Sequence, residues 1–152
     1  MHSKPPQAGF TLIELMMSVV VLAILATIGL PAFSELIASQ RARAAASALH
    51  DSLLLARSEA IKRNASTTLK TSNLANGWTI ETVALPTVVL RREDGSNGVT
   101  FSPADPSVVF NRFGRVETNT KPAITVTTTG SSTSRCLSIE ATGLAKIRDG
   151  AC

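Results

Sequence analysis

The hydrophobic pattern of this chain changes character twice. Residues 10–33 form an almost continuous apolar run whose only charge is Glu14. Residues 34–64 repeat apolar and small side chains every three or four positions, as one face of an amphipathic helix does. Beyond residue 64 the period changes to two and β-branched residues become frequent, which is typical of strands. The pattern predicts a long N-terminal helix followed by a β-rich head.

The first apolar run is long enough, at about 1.5 Å per helical residue, to cross a bilayer core of about 30 Å. An ionised carboxylate inside such a span costs on the order of 2.5–3.5 kcal/mol. Glu14 is therefore the anomaly of the run. Either a partner neutralises it, or it extends from the end of the span to the lipid headgroups.

Pro31 lies within the helical pattern, shortly after Gly29. Proline removes one backbone hydrogen bond and its ring clashes with the carbonyl four residues earlier. The sequence predicts either a kink in one continuous helix or the end of the span and the start of a second helix.

The β-rich part contains nine predicted strands, separated by turns rich in Gly, Asn, Asp, Ser and Pro. They cover residues 66–70, 78–83, 87–92, 99–101, 108–110, 115–118, 124–128, 135–139 and 145–148. Short turns favour antiparallel pairing, and the only tryptophan, Trp78, is expected in the core. The predicted fold class is α+β, with a long N-terminal α-helix packed on a small antiparallel β-sheet head. The expected segments are 1–9, 10–33, 34–64 and 65–152.

Charge and cysteine content narrow the function only slightly. A formal charge of +4 describes a mildly basic protein, without the charge density of a dedicated nucleic-acid binder. The two cysteines are Cys136 and Cys152. Outside the cytoplasm they can form a disulfide worth roughly 3 kcal/mol, and in a reducing compartment they stay free thiols.

The chain offers little chemistry for catalysis. His2 lies near the N-terminus, and His50 is an isolated residue of the amphipathic helix, where a packed or solvated role is expected. No Cys-x-x-Cys pair or metal-ligand spacing occurs in the sequence. We therefore expect no enzymatic activity, no cofactor and no metal.

Residues 9–14, with the sequence GFTLIE, resemble the class III signal of type IV pilins and type II secretion pseudopilins. The resemblance implies a leader of residues 1–9 that prepilin peptidase removes by cutting between Gly9 and Phe10. It also implies N-methylation of Phe10, a single pass through the bacterial inner membrane with the head in the periplasm, and later transfer from lipid into a pilus or pseudopilus. The charge bias does not favour this orientation by itself, because Lys4 precedes the run and Arg41 and Arg43 follow it.

The implied cleavage also explains Glu14. It creates an α-amino group on Phe10 whose unperturbed pKa is about 7.7–8.0. In a helical stack, the Glu14 carboxylate of one subunit could neutralise the Phe10 ammonium of its neighbour. Phe10 and Glu14 would then set the register of assembly, and Pro31, which similar pilins share, would let the helix stretch.

Residues 54–64 (LLARSEAIKRN) and 77–80 (GWTI) narrow the resemblance to the GspH/FimT branch. This branch contains minor pilins of type IV pili and minor pseudopilins of type II secretion systems. The implied function is a structural subunit, assembled with other pilin-like subunits into or at the tip of a type IV pilus. The alternative is a subunit of a type II secretion pseudopilus, and the sequence leaves both machines open.

A second alternative is DNA binding for natural transformation, because FimT-like proteins bind DNA through a Gly-Arg-x-Arg motif. The corresponding stretch here is residues 143–148, in which Gly143 matches, Leu144 stands at the first arginine position and Lys146 at the last. The residues that could contact DNA are Gly143, Lys146 and Arg148. Acidic residues are interleaved with the cations of the head, and no aromatic platform accompanies them. A solvated surface of mixed charge is the competing interpretation.

The processing hypothesis predicts the mass of the assembled protein. Intact mass spectrometry of sheared filaments should find a chain that starts at Phe10 and carries one additional methyl group. A chain in assembled filaments that still starts at Met1 would contradict the hypothesis.

Overall fold

The computed structural model describes residues 9–117 and 121–152. One long helix, α1 (Leu12–Arg63), precedes eight strands and a short 3₁₀ helix (Leu74–Asn76). The strands are β1 (Thr67–Lys70), β2 (Gly77–Thr82), β3 (Val89–Asp94), β4 (Val99–Ser102), β5 (Val108–Phe110), β6 (Ala123–Thr128), β7 (Arg135–Ile139) and β8 (Ala145–Asp149).

The chain divides into two compact units. The first ends at Ser34, and its described residues are 9–34; the second, which we call the head, is Glu35–Cys152. Helix α1 contributes its N-terminal part to the first unit and its C-terminal part to the head.

The strands of the head form two antiparallel sheets. Sheet A has the order β3-β2-β1-β5, and sheet B has the order β4-β6-β7-β8. Eight of the nine predicted strands are present. Residues 115–117 form only one bridge, between Val116 and Phe110, and residue 118 lies outside the described chain. The Asn111 side chain explains the difference, because its Oδ1 accepts hydrogen bonds from the amides of Phe113 and Arg115 and holds a turn there.

The core lies between one stripe of α1 and the inner faces of the sheets. The stripe is buried at intervals of three or four residues and consists of Ala38, Ala42, Ala45, Ala46, Leu49, Leu53, Ala56 and Ala60. The small alanine side chains allow the sheets to approach the helix backbone closely. Trp78 is buried in the same cluster and packs edge-on against Phe101, with ring centroids 6.2 Å apart. This confirms the predicted fold class.

Two buried threonines fix the helix against the sheets. Thr67 in β1 donates from Oγ1 to the carbonyl of Ala56 at 2.8 Å. Thr128 in β6 donates in the same way to the carbonyl of Ala38 at 3.1 Å. Each bond contributes about 1 kcal/mol net, and it also satisfies a hydroxyl that would be costly to bury alone.

A close backbone contact joins the turn before β8 to the loop after β5. Gly143 has φ +82°, and a Cβ added there would lie 1.9 Å from the carbonyl oxygen of Gly114. The same oxygen accepts a hydrogen bond from Nε of Arg57 at 3.1 Å, which ties both loops to α1. Only glycine fits at residue 143 without displacing this contact.

Gly143→Ala should therefore destabilise the protein by about 2–5 kcal/mol, because a left-handed alanine and a backbone clash add together. Gly130→Ala is the matched control, since Gly130 has φ +84° and meets no described atom within 4 Å. The control should cost only about 1–2 kcal/mol. Thermal unfolding followed by circular dichroism measures the stability of both variants. Equal losses of stability would show that the contact at Gly143 contributes no free energy to folding.

Candidate functional site

The predicted processing site lies directly before α1. Gly9 and Phe10 are exposed, and Phe10 is 79% accessible. A Cβ added at Gly9 would meet no described atom within 4 Å. The residues before Gly9 lie outside the described chain.

Thr11 caps the helix, a role that the sequence reasoning missed. Its Oγ1 accepts a hydrogen bond from the amide of Glu14 at 3.3 Å, and its carbonyl accepts from the amide of Leu15 at 3.2 Å. The pattern Thr-x-x-Glu ahead of an apolar run is a known helix-start signal and was available in the sequence. The cap places Glu14 in the first turn of the helix.

Glu14 lies in the first turn of α1, which partly explains why a carboxylate is tolerated in this apolar run. A carboxylate in the first turn faces the positive end of the helix dipole, which contributes about 0.3–1 kcal/mol at an exposed site. None of the ion pairs among the described residues includes Glu14. The free energy that the helix dipole contributes is smaller than the cost of burying the carboxylate. Glu14 therefore still needs a full counter-charge when it is buried.

The large apolar side chains that the structure describes in the first unit are uncovered. Those accessible by half or more are Phe10, Leu12, Ile13, Leu15, Met16, Met17, Val19, Val20, Val21, Leu22, Ile24, Leu25 and Phe33. Soluble monomers rarely expose a continuous apolar surface of this extent. No helical stretch of the described residues reaches the length and hydropathy of a membrane span.

Pro31 lies inside α1, whose helical assignment continues from Leu12 to Arg63. The side chains of residues 28 and 30–32 are outside the description. The helix therefore does not end at the proline. The proposed stretching at this residue stays a prediction.

The residues compared with a DNA-binding motif do not form one site. Gly143 is buried at its contact with Gly114, which gives it a packing role. Lys146 and Arg148 alternate along β8 with the core-facing Ala145 and Ile147, so they lie on the outer face of sheet B.

A residue that the sequence reasoning did not single out, Lys121, joins Lys146 and Arg148 beside a shallow groove of about 410 Å³. Glu140 lies in the same groove, and its carboxylate accepts a hydrogen bond from Nζ of Lys146 at 2.7 Å. This bond and the charge of Lys146, with a smaller contribution from Lys121, lower the pKa of Glu140. The groove thus carries three cations, one of which is partly neutralised. Its members come from distant parts of the chain, which explains why spacing alone did not find Lys121.

Cys136 and Cys152 form a disulfide. It ties residue 152 to β7, and the amide of Cys152 also donates to Oγ1 of Thr125 at 3.1 Å. The bond fixes the last residues of the chain next to sheet B.

His50 has a packing role. Its Nε2 lies 3.3 Å from the carbonyl oxygen of Ala145, and its Nδ1 lies 3.4 Å from Oδ1 of Asp51. These contacts connect α1 to β8 and leave no open coordination geometry. Within the described ranges, no cluster of three or more His, Cys, Asp or Glu side chains is placed to hold a metal ion.

Two models of known protein families match parts of this chain. Residues 4–30 match the model of the prokaryotic N-terminal methylation motif, and residues 45–143 match the model of the type II transport protein GspH. A search of curated proteins gives no match.

Two solved structures share the fold. The type IV minor pilin FimU of Pseudomonas aeruginosa (strain PAO1) is 23% identical, with a TM-score of 0.60 over 70% of this chain and 91% of that chain. The minor pseudopilin EpsH from the type 2 secretion system of Vibrio cholerae is 14% identical, with a TM-score of 0.58 over 72% of this chain and 97% of that chain.

The match to GspH covers most of the head, and the methylation motif covers the start of α1. Together they confirm the resemblance carried by residues 9–14, 54–64 and 77–80. The chain belongs to the GspH family and is a pilin-like subunit, of the minor pilin or minor pseudopilin kind, with an N-terminal methylation motif.

Proposed function

We propose that this chain is a minor pilin that prepilin peptidase cuts after Gly9 and that assembles through α1 into or at the tip of a type IV pilus. One observation carries the proposal: an uncovered apolar helix begins just after Gly9 and Phe10, capped by Thr11 and with Glu14 in its first turn. Before assembly, inner-membrane lipid covers this helix and the head lies in the periplasm. The described segments then correspond to a filament-core helix, its amphipathic continuation and the head.

In the proposed assembly, two buried charges set the register of neighbouring subunits. Cleavage leaves an ammonium group on Phe10, four residues before Glu14. Two such charges are each costly to bury alone and become tolerable as a pair, so the subunit packs where the Glu14 carboxylate of one chain meets the Phe10 ammonium of its neighbour. Misregistered packing would bury both charges without partners.

A pseudopilus of a type II secretion system is the second candidate, and the description of the matched family favours it. The likeness in fold to FimU favours the pilus. Both machines use the same processing and the same packing of α1. Deletion of the gene separates them, because loss of the minor pilin should reduce surface pili, whereas loss of the pseudopilin should leave secreted proteins in the periplasm.

Glu14→Val tests the register. The variant should insert into the membrane as well as the parent, because it removes a buried charge, but its assembly should fall on the order of tenfold or more. Quantitative immunoblotting measures the ratio of the amount of this chain in sheared filaments to the amount in membranes. Glu35→Gln is the matched control: it removes a carboxylate from the same helix, yet its amide can still accept the hydrogen bond from Ser132 Oγ that Glu35 accepts at 2.9 Å. Unchanged assembly of Glu14→Val, or an equal loss in the control, would defeat the register role.

DNA binding is a further candidate function, favoured by the convergence of Lys121, Lys146 and Arg148 on the outer face of sheet B. Phosphate contacts by such cations are independent of sequence and weaken with salt. Glu140 opposes DNA binding, because its carboxylate forms an ion pair with Lys146.

Gel retardation of duplex DNA by the full chain in detergent tests this candidate. Arg148→Ala should weaken binding and reduce the salt slope by about 0.9 for a lost phosphate contact. Glu140→Gln should strengthen binding, because it frees Lys146. Arg63→Ala is the matched control, since Arg63 pairs with Glu59 at the far end of α1. Absence of retardation at low salt, or weaker binding by Glu140→Gln, would exclude the site.

A further inference from the structure

The loop between β2 and β3 exposes a cluster of apolar side chains. Val83, Leu85, Val88 and Val89 are 51%, 90%, 43% and 49% accessible. Leu85 is the most exposed large apolar side chain among the described residues. Isolated exposed apolar residues are ordinary, but three within one short loop and a fourth at the start of β3 indicate a binding surface.

Hydrogen bonds fix the two ends of this loop. The amide of Thr82 donates to the carbonyl of Val88 at 3.0 Å, and the amide of Val88 donates to Oγ1 of Thr82 at 2.9 Å. The amide of Val83 donates to the carbonyl of Ser66 at 2.9 Å. A loop fixed in this way loses little entropy when a partner covers it, so its apolar side chains are pre-organised for binding.

The adjacent strand offers backbone groups to the same partner. Strand β3 is the edge of sheet A, and no described strand pairs with its outer side. The amide and carbonyl of Val88 are directed to Thr82, so the N–H and C=O of Val89, which is paired with Glu81, face the open side. A register shift between Ile80 and Glu81 interrupts the alternation just after Val89. The open edge can therefore accept a short added strand at Val89, but it is not a regular template along the whole of β3.

The charges of β3 narrow the class of partner. Arg91 pairs with Glu93 along the strand, and Arg92 and Asp94 are both exposed. A membrane surface or a nucleic acid presents negative charge throughout, which Glu93 and Asp94 would repel. A polypeptide strand can present either sign at each position and can also satisfy the backbone groups. The charge pattern therefore fits an extended peptide segment.

We infer that the loop of residues 83–88 and the outer edge of β3, together the β3 edge, bind an extended strand of a different subunit of the same assembly. This inference rests on the proposed function. The incoming strand continues sheet A beside β3, places an apolar side chain against Leu85 and Val89, and places a carboxylate near Arg92. The head thereby selects its neighbour, while α1 supplies the contact common to all subunits.

Photo-cross-linking in cells tests the inference on the full-length chain. A benzophenone amino acid at residue 85 should give an adduct with a second protein that carries an N-terminal methylation motif, and peptide mapping should place the link in one of its strands. The same probe at Ala141 is the control and should give no such adduct, because this exposed residue accepts a hydrogen bond from Val116 beside β5, at the opposite edge of sheet A. Adducts only with lipid, with a second copy of this chain or with an unrelated protein would each overturn the inference.

Two variants separate the apolar and backbone parts of the site, with the probe placed at residue 83. Leu85→Asp should lower the adduct yield by about tenfold or more, as loss of a central interface anchor does. Val89→Pro removes the outward N–H, which an edge strand tolerates in its own fold, and should lower the yield similarly. Leu144→Asp, at a side chain 41% accessible on the other sheet, is the matched control and should leave the yield unchanged. Unchanged yields in both test variants would overturn the inference.

Failure of the inference about the β3 edge can be distinguished from failure of the proposed function. Leu85 is almost fully exposed, so its aspartate variant should keep the thermal unfolding of the parent and should still start at Phe10. If the parent chain is absent from sheared filaments, the proposed function fails whatever the cross-link shows. If the parent chain is present in filaments and Leu85 gives no adduct, only the β3 edge is wrong.

Discussion

The packing of one alanine-rich stripe of α1 against two sheets is the interaction on which the head depends. Alanine contributes little apolar area, but it lets strands approach the helix backbone, and Thr67 and Thr128 then reach carbonyls of the helix itself. The same helix carries a second, uncovered apolar surface in its N-terminal part. One element therefore serves both the fold of the subunit and its assembly.

Charge placement separates these two roles. The N-terminal part of α1 holds a single carboxylate in its first turn, where the helix dipole favours it and where, under the proposed function, the Phe10 ammonium of a neighbouring subunit meets it. In the C-terminal part, Lys62 and Arg63 pair with Glu59, whose pKa is lowered chiefly by the hydrogen bond from Arg63, and Arg57 donates to the carbonyl of Gly114. These three cations serve the structure of the head, whereas the proposed assembly uses Glu14.

Those surfaces differ in chemistry. The outer face of sheet B is cationic and polar, with Glu140 restraining Lys146. The β3 edge of sheet A is apolar and carries both signs of charge. A shared α1 contact cannot distinguish one pilin-like subunit from another, so differences on the head are the physical basis available for choosing neighbours.

The sequence by itself determined the family, the helix, eight strands and the N-terminal methylation motif, because each rests on local periodicity, turn residues or a short contiguous motif. It could not determine which cations converge, since Lys121 meets Lys146 and Arg148 only when β6 and β8 flank β7. It also could not show that Gly143 is held by contact with Gly114, or that the side chain of Asn111 holds a turn at residues 111–115. Local signals specify elements, whereas sites built from distant residues exist only after the strands have paired.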